Sequence, residues 1–234
     1  MTQRRSVAAR SESALLALRR DILAFKLPAG ALLAEAAVAR ALKVSRVPVR
    51  EALFALEREG LVEFSETGRA YVRTLRPEDF EELFVLRLAL EPAGARLASP
   101  RLRKDSRQLE TNIAATKLAK SPKELTQLDL DFHEAILVAS GNRRLARLWK
   151  SLRYELELWL AMLRAHQQHA KRAHAVTVAS HEEILRCLRE QSPAAAERLM
   201  RQHILSWREW LAAAEPGVTL PSLSNKKTKQ GERS

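Results

Sequence analysis

From Pro77 to about residue 213 the chain shows no strand-like alternation and few glycines, while apolar residues return every three or four positions. That periodicity constrains the fold to amphipathic helices whose apolar stripes face one another. The breaks between them are also legible. Ser121-Pro122 and Ser192-Pro193 each pair a capping serine with a proline whose missing N–H would have had no intrahelical partner there. Gly141-Asn142 separates two further segments, and Pro77-Glu78-Asp79 reads as a helix start with acids in its first turn. The expected helices cover roughly 77–98, 101–118, 122–140, 142–168, 174–190 and 193–213. Segments of that length close into an antiparallel bundle of six or seven helices.

The first third reads differently. Leu15, Leu16, Leu18, Ile22 and Leu23 recur at helical spacing from Ser11 to about Lys26, and the turn Leu27-Pro28-Ala29-Gly30 stops that helix. A second helix runs from about Ala34 to Leu42. Ser45 is a good N-cap for a third, which carries Pro48 in its first turn and ends with Gly60 at C′. Two β-type runs follow, 61–64 and 70–73, joined by the turn residues 65–69. Three helices and a hairpin make a winged helix-turn-helix. The second and third helices pack through Val38, Leu42, Val49 and Leu53, which leaves Ser45, Arg46 and Arg50 pointing outwards. The fold class is therefore mainly α, with the winged unit over 1–76, the helical bundle over 77–215, and a basic, disordered tail over 216–234.

Charge follows the same division. The chain carries a formal +12. Residues 1–76 hold 14 Lys/Arg against 8 Asp/Glu, whereas residues 77–221 hold 22 against 19. A basic excess around an exposed helix start points to a polyanionic partner. At that position arginine can pair with guanine O6 and N7 in the major groove, and the free N–H groups of the first turn suit a phosphate oxygen. No apolar run is long enough to span a bilayer and the first ten residues lack a signal-peptide core. A single cysteine, Cys187, excludes an internal disulfide and reads as a small core residue in a reducing cytoplasm.

Polar residues on inward faces of the bundle are the other signal. Asp129 and His133 stand four apart on one helical face among Leu125, Leu128, Phe132 and Ile136. His181 opens a strongly apolar helix, and His203 lies inside another. Three imidazoles and a carboxylate suit a borderline divalent cation such as Zn, Ni or Mn. The alternative is a helix-surface hydrogen bond and two satisfied core histidines. His166, His169 and His174 sit in a polar stretch and read as solvated.

Two resemblances sharpen these readings. The run Ser45-Arg46-Val47-Pro48-Val49-Arg50-Glu51-Ala52-Leu53, then Leu56-Glu57-Arg58-Glu59-Gly60-Leu61-Val62, resembles the DNA-binding domain of GntR-type bacterial transcription regulators, with Glu35 and the Pro28–Gly30 turn also fitting. The resemblance implies that Ser45, Arg46, Val47 and Arg50 face the major groove and that Gly68 and Arg69 lie on a wing at the minor groove. Three departures stand out. Lys43 replaces the glycine that usually ends the second helix, so a lysine is expected in left-handed backbone. Ala36 stands where some relatives carry an arginine, and Gly68-Arg69 reverses the usual wing order.

The bundle resembles the FCD ligand domain of the FadR subfamily. The segments that carry this likeness are Leu86-Arg87-Leu88-Ala89-Leu90-Glu91-Pro92, Asp129-x-x-Phe132-His133, Ser140-Gly141-Asn142, and His181 with His203. This implies a divalent metal on Asp129, His133, His181 and His203, facing a cavity for a small carboxylate effector, with Arg87 at that cavity or else in a salt bridge to a neighbouring helix. The expected protein is a cytoplasmic, homodimeric transcription regulator, a repressor, on a palindromic double-stranded operator, and not an enzyme. Two alternatives remain: a metal-dependent hydrolase, for which the sequence offers no clear general base or oxyanion donors although Asp131 is nearby, and a regulator whose metal is purely structural.

Overall fold

The computed structural model describes residues 2–164 and 170–214. The expected tail over 216–234, His166 and His169 lie outside the described residues. The first unit comprises α1 (Thr2–Leu23), α2 (Glu35–Leu42), α3 (Arg46–Arg58), β1 (Val62–Phe64) and β2 (Ala70–Val72). Its core gathers Leu18, Ile22, Val49, Leu53, Leu56, Val62 and Val72, with Val38 and Leu42 packed at its edge. The first helix starts well before Ser11, and Leu16 is exposed, because Ala14, Leu18 and Ile22 form the buried stripe.

Lys43 ends α2 at φ 55°, and its N–H caps the carbonyls of Ala39 and Arg40. The expected left-handed lysine is therefore present. β1 and β2 pair antiparallel with Val62 opposite Val72. A feature absent from the sequence reading lies beside them. Residues 30–33 run along β2, with Gly30 N–H donating to Val72 O, Val72 N–H to Ala31 O and Leu33 N–H to Ala70 O.

Six helices follow among the described residues: α4 (Pro77–Leu102), α5 (Arg107–Leu118), α6 (Pro122–Ala139), α7 (Arg143–Arg164), α8 (Ala170–Glu190) and α9 (Pro193–Ala214). α4 packs on α9, α6, α7 and α8, while α5 bridges α6 and α8. Gly94 allows α4 close to α6, since a Cβ there would stand 2.6 Å from Leu137 Cδ1. The expected break between 98 and 101 is not there; α4 continues through Pro100 to Leu102. The real break lies at 103–106, where Ser106 starts α5. His174 also departs from expectation. It is half-buried, with Nε2 2.6 Å from Thr116 O, which ties α8 to α5.

The two units meet along α7. Leu158 is buried in the winged core. Arg73, just after β2, pairs with Glu155 of α7 at 2.8 Å and with Asp79 of α4 at 2.8 Å. Arg19 of α1 lies 4.1 Å over the Tyr154 ring and pairs with Glu59 beyond the end of α3.

Candidate nucleic-acid interface and metal centre

The start of α3 is bare. Ser45 takes the N-cap backbone position, yet its hydroxyl makes no capping bond. Ser45, Arg46, Val47 and Arg50 are all exposed, whereas Pro48, Val49, Leu53 and Leu56 of the same helix are buried. A helix that binds its own protein by one flank so presents two guanidiniums and a valine to solvent. Arg50 is held in place by Glu35 of α2, with Nε 2.6 Å from Oε1 and Nη2 3.0 Å from Oε2. That hydrogen bond holds the Glu35 carboxyl below its ordinary pKa. Gly68 and Arg69 are exposed at the hairpin tip, which is closed by Gly68 N–H to Ser65 O and Ser65 N–H to Arg69 O.

Inside the bundle, α6, α8 and α9 bring His133, His181 and His203 together. Their ligand atoms all lie within 4.8 Å of one another. His133 and His181 are fully buried, and His203 is half-buried. The His181 ring is stacked on Phe132, 3.9 Å between centroids. Asp129 falls outside the trio but adjoins it, with Oδ1 3.2 Å from His181 Nε2. Burial, then the nearby charges of His133 and His181, push the His203 pKa well below its ordinary value. Neutral imidazoles are what a metal requires. His133 Nε2 is buried with no hydrogen-bond partner among the described residues, a costly state that a bound cation relieves. These residues fit a divalent ion.

A support shell lies behind His133 that the sequence reading did not identify as part of the site. Glu91 of α4 is fully buried, and its Oε2 stands 2.6 Å from His133 Nδ1. That separation belongs to a charge-assisted hydrogen bond, although the N–H does not point straight at the oxygen. Glu91 also accepts from Arg87 Nε at 2.5 Å and Trp149 Nε1 at 3.1 Å. Burial would raise the Glu91 pKa, but the charges of Arg87 and His133 hold it far below the carboxylate range. With Nδ1 committed to Glu91, His133 turns Nε2 to the cluster.

Arg87 is buried and forms a salt bridge to Glu91 one turn along its own helix. Burial works against its charge, yet Glu91 raises its pKa above the ordinary arginine value. The one sequence signal for this shell is an Arg within the apolar run 86–90 and a Glu four residues on, directly after it, a spacing usually read as a surface pair. Asp131, the base that a hydrolase would need, points to the other side of α6 and pairs with Arg153 at 2.6 Å.

Comparison with known proteins agrees with this layout. The bacterial regulatory proteins, gntR family, match over residues 10–72, and the FCD domain matches over residues 82–206. The chain is 28% identical over 201 residues to the "Probable D-xylose utilization operon transcriptional repressor" of Paenarthrobacter nicotinovorans, covering 85% of this chain and 87% of that protein. It is 29% identical over 191 residues to the HTH-type transcriptional repressor RspR of Escherichia coli (strain K12), covering 80% and 82%. Among solved structures, E. coli McbR/YncC shares the fold with a TM-score of 0.71 at 18% identity, over 87% of this chain and 97% of that one. No helix among the described residues is long and apolar enough to cross a membrane.

Proposed function

The chain belongs to the GntR family of bacterial regulatory proteins and carries an FCD domain, and from that premise we propose a repressor that binds a palindromic operator as a homodimer and answers to a small carboxylate effector. It is a transcription regulator and not an enzyme. Residues 1–76 form the DNA-binding unit in this reading and 77–215 the sensing unit, working in the cytoplasm. The two-fold axis of the dimer matches that of the operator.

In the major groove Arg46 and Arg50 donate to guanine edges, Val47 meets a thymine methyl, and Ser45 with the α3 amides binds phosphate. Gly68 and Arg69 enter the minor groove. The observation that carries this reading is the simultaneous exposure of Ser45, Arg46, Val47 and Arg50 on a helix whose other flank is sealed into the core.

In the sensing unit His133, His181, His203 and Asp129 would hold a divalent ion, with zinc the best match to three imidazoles and a carboxylate and Ni or Mn as further candidates. The ion supplies positive charge for an effector carboxylate, and Arg87, close enough to feel Asp129, adds to it. The effector shifts the operator equilibrium only by as much as its affinity differs between the two arrangements of the dimer.

The test is a gel-shift titration against operator fragments selected from a random DNA pool. Arg50→Ala should abolish specific binding while the circular dichroism spectrum stays that of the parent. Unchanged selectivity would overturn the assignment. Elemental analysis of the purified protein, combined with identification of any co-purifying carboxylate, tests the sensing half independently.

A further inference from the structure

On the side of α6 away from the histidines, a groove of about 710 Å³ runs between α5, α6 and α7. Helical geometry separates the two surfaces: Asp129 and His133 turn inwards, whereas Leu128, Asp131, Ala135 and Val138 line the groove at three- and four-residue spacing. The α7 wall presents Lys150, Arg153, Tyr154 and Glu157.

The charges in this groove do not balance. Arg153 is already engaged, with Nη2 2.6 Å from Asp131 and Nη1 2.6 Å from Glu134. Among the described residues Glu157 has no such partner. It is 4% exposed, and among the described residues it receives one hydrogen bond, from Gln127 Nε2 at 3.1 Å, and no cation. A carboxylate taken out of water without a counter-charge is unfavourable to the fold. The groove holds three carboxylates against two cations in a chain whose formal charge is +12. Its volume is that of small-molecule sites.

We propose that this groove is a second ligand site, for a small organic cation whose ammonium pairs with Glu157 and whose methylenes lie along Leu128, Ala135 and Val138. It differs from the metal centre in place and in the sign of charge it selects. Tyr154 belongs both to the groove wall and to the contact beneath Arg19, so a ligand here touches the surface on which the winged unit rests.

The test uses the purified full-length protein and does not involve DNA or the metal. Thermal unfolding is followed with 1,4-diaminobutane as the probe and with 1,4-butanediol as the control at matched ionic strength. The diamine alone should raise the midpoint, by roughly 2–4 °C at about fivefold excess over Kd. Glu157→Gln should remove that response and raise the midpoint of the free protein, since the amide sheds the uncompensated charge. Hydrogen exchange on the parent protein locates the probe whether or not the variant folds, with protection expected over residues 108–115, 127–138 and 150–157. The proposal is overturned by no response to the diamine, by an equal response in Glu157→Gln or to the diol, by a lower midpoint of the free variant, or by protection elsewhere.

Discussion

Gly60→Ala probes the joint between the two units. Gly60 sits at φ 70°, and a Cβ there would stand 2.4 Å from Glu155 Oε2 and 2.9 Å from its Cδ. Placing an L side chain in left-handed backbone costs about 1 kcal/mol. The carboxylate must also swing away, and that breaks its 2.8 Å pair with Arg73, whose partners are 11% and 26% exposed. Breaking a fully buried pair costs about 3–5 kcal/mol, and an exposed one at most about 1. A half-buried pair therefore contributes roughly 1–2. The alanine recovers about 0.5 kcal/mol by restricting the unfolded chain. The net expectation is a loss of about 2 kcal/mol, or roughly 4–8 °C in Tm for a chain of this size. Urea unfolding of the parent, Gly60→Ala, Glu155→Ala and the double variant separates the terms. With Glu155 truncated, the alanine should cost only its backbone strain, about 1 kcal/mol or less. An equal cost in both backgrounds would show that Gly60 and Glu155 do not meet, and the argument fails.

Three further outcomes are expected. Lys43→Gly should stabilise the protein by up to about 1 kcal/mol in urea unfolding, because φ 55° strains a lysine and not a glycine; a loss of stability contradicts this. Asp79 is the N3 residue that closes the start of α4, accepting from Arg76 N–H at 2.8 Å. Burial favours its neutral form, but Arg76 and Arg73 hold its pKa below the ordinary 3.8. Its contribution is therefore complete above that value and lost as pH falls through the lower folded pKa. Asp79→Asn should flatten the acid limb of stability below pH about 4, and an unaltered limb refutes the assignment. Glu91→Gln should weaken zinc binding about 10–100-fold in competition with a chromogenic chelator. It should also cost about 3 kcal/mol or more, since the buried Arg87 loses the carboxylate it pairs with. Unchanged affinity would mean that Glu91 does not orient His133.

The sequence was most readable where local physics decides. Ser121-Pro122, Ser192-Pro193 and Gly141 mark helix ends because capping and missing donors act within one turn, and all three fall where helices meet in the structure. The break expected between 98 and 101 falls at Pro100, and a proline removes only one N–H and crowds only one carbonyl. So near the end of α4 the chain absorbs both, while Ser99 anchors the turn by donating to Leu188 O of α8. The pairing of residues 30–33 with β2 was not legible, since its partners are set by how α1 and α3 seat the hairpin. For the metal cluster, Asp129 and His133 are one turn apart by chain geometry, but only the packing of α8 and α9 decides whether His181 and His203 arrive beside them. Glu91 was hidden for the opposite reason. Its spacing from Arg87 looks like an ordinary surface pair until α6 and α7 close over it.

The helix to which the sequence assigns no site residue, α7, is the one that joins these parts. Its 22 residues present different work on different faces. Trp149, Leu156 and Leu160 enter the bundle core, and Trp149 donates to the carboxylate behind His133. Tyr154, Glu155 and Leu158 meet the winged unit through Arg19, Arg73 and its core. Trp149 and Glu155 are six residues apart, about 9 Å along a straight helix, so neither contact can move far while α7 stays a rod and the other holds. One set of contacts thus runs from His133 through Glu91 to Trp149, another from Tyr154 through Arg19 to Glu59 beyond α3, and the α7 backbone joins the two. Both sets of contacts rest on one rigid helix, an arrangement through which energetic coupling between distant sites can pass. The side chains at both contacts have charges as partners, and these cannot be exchanged for apolar groups without leaving another charge buried.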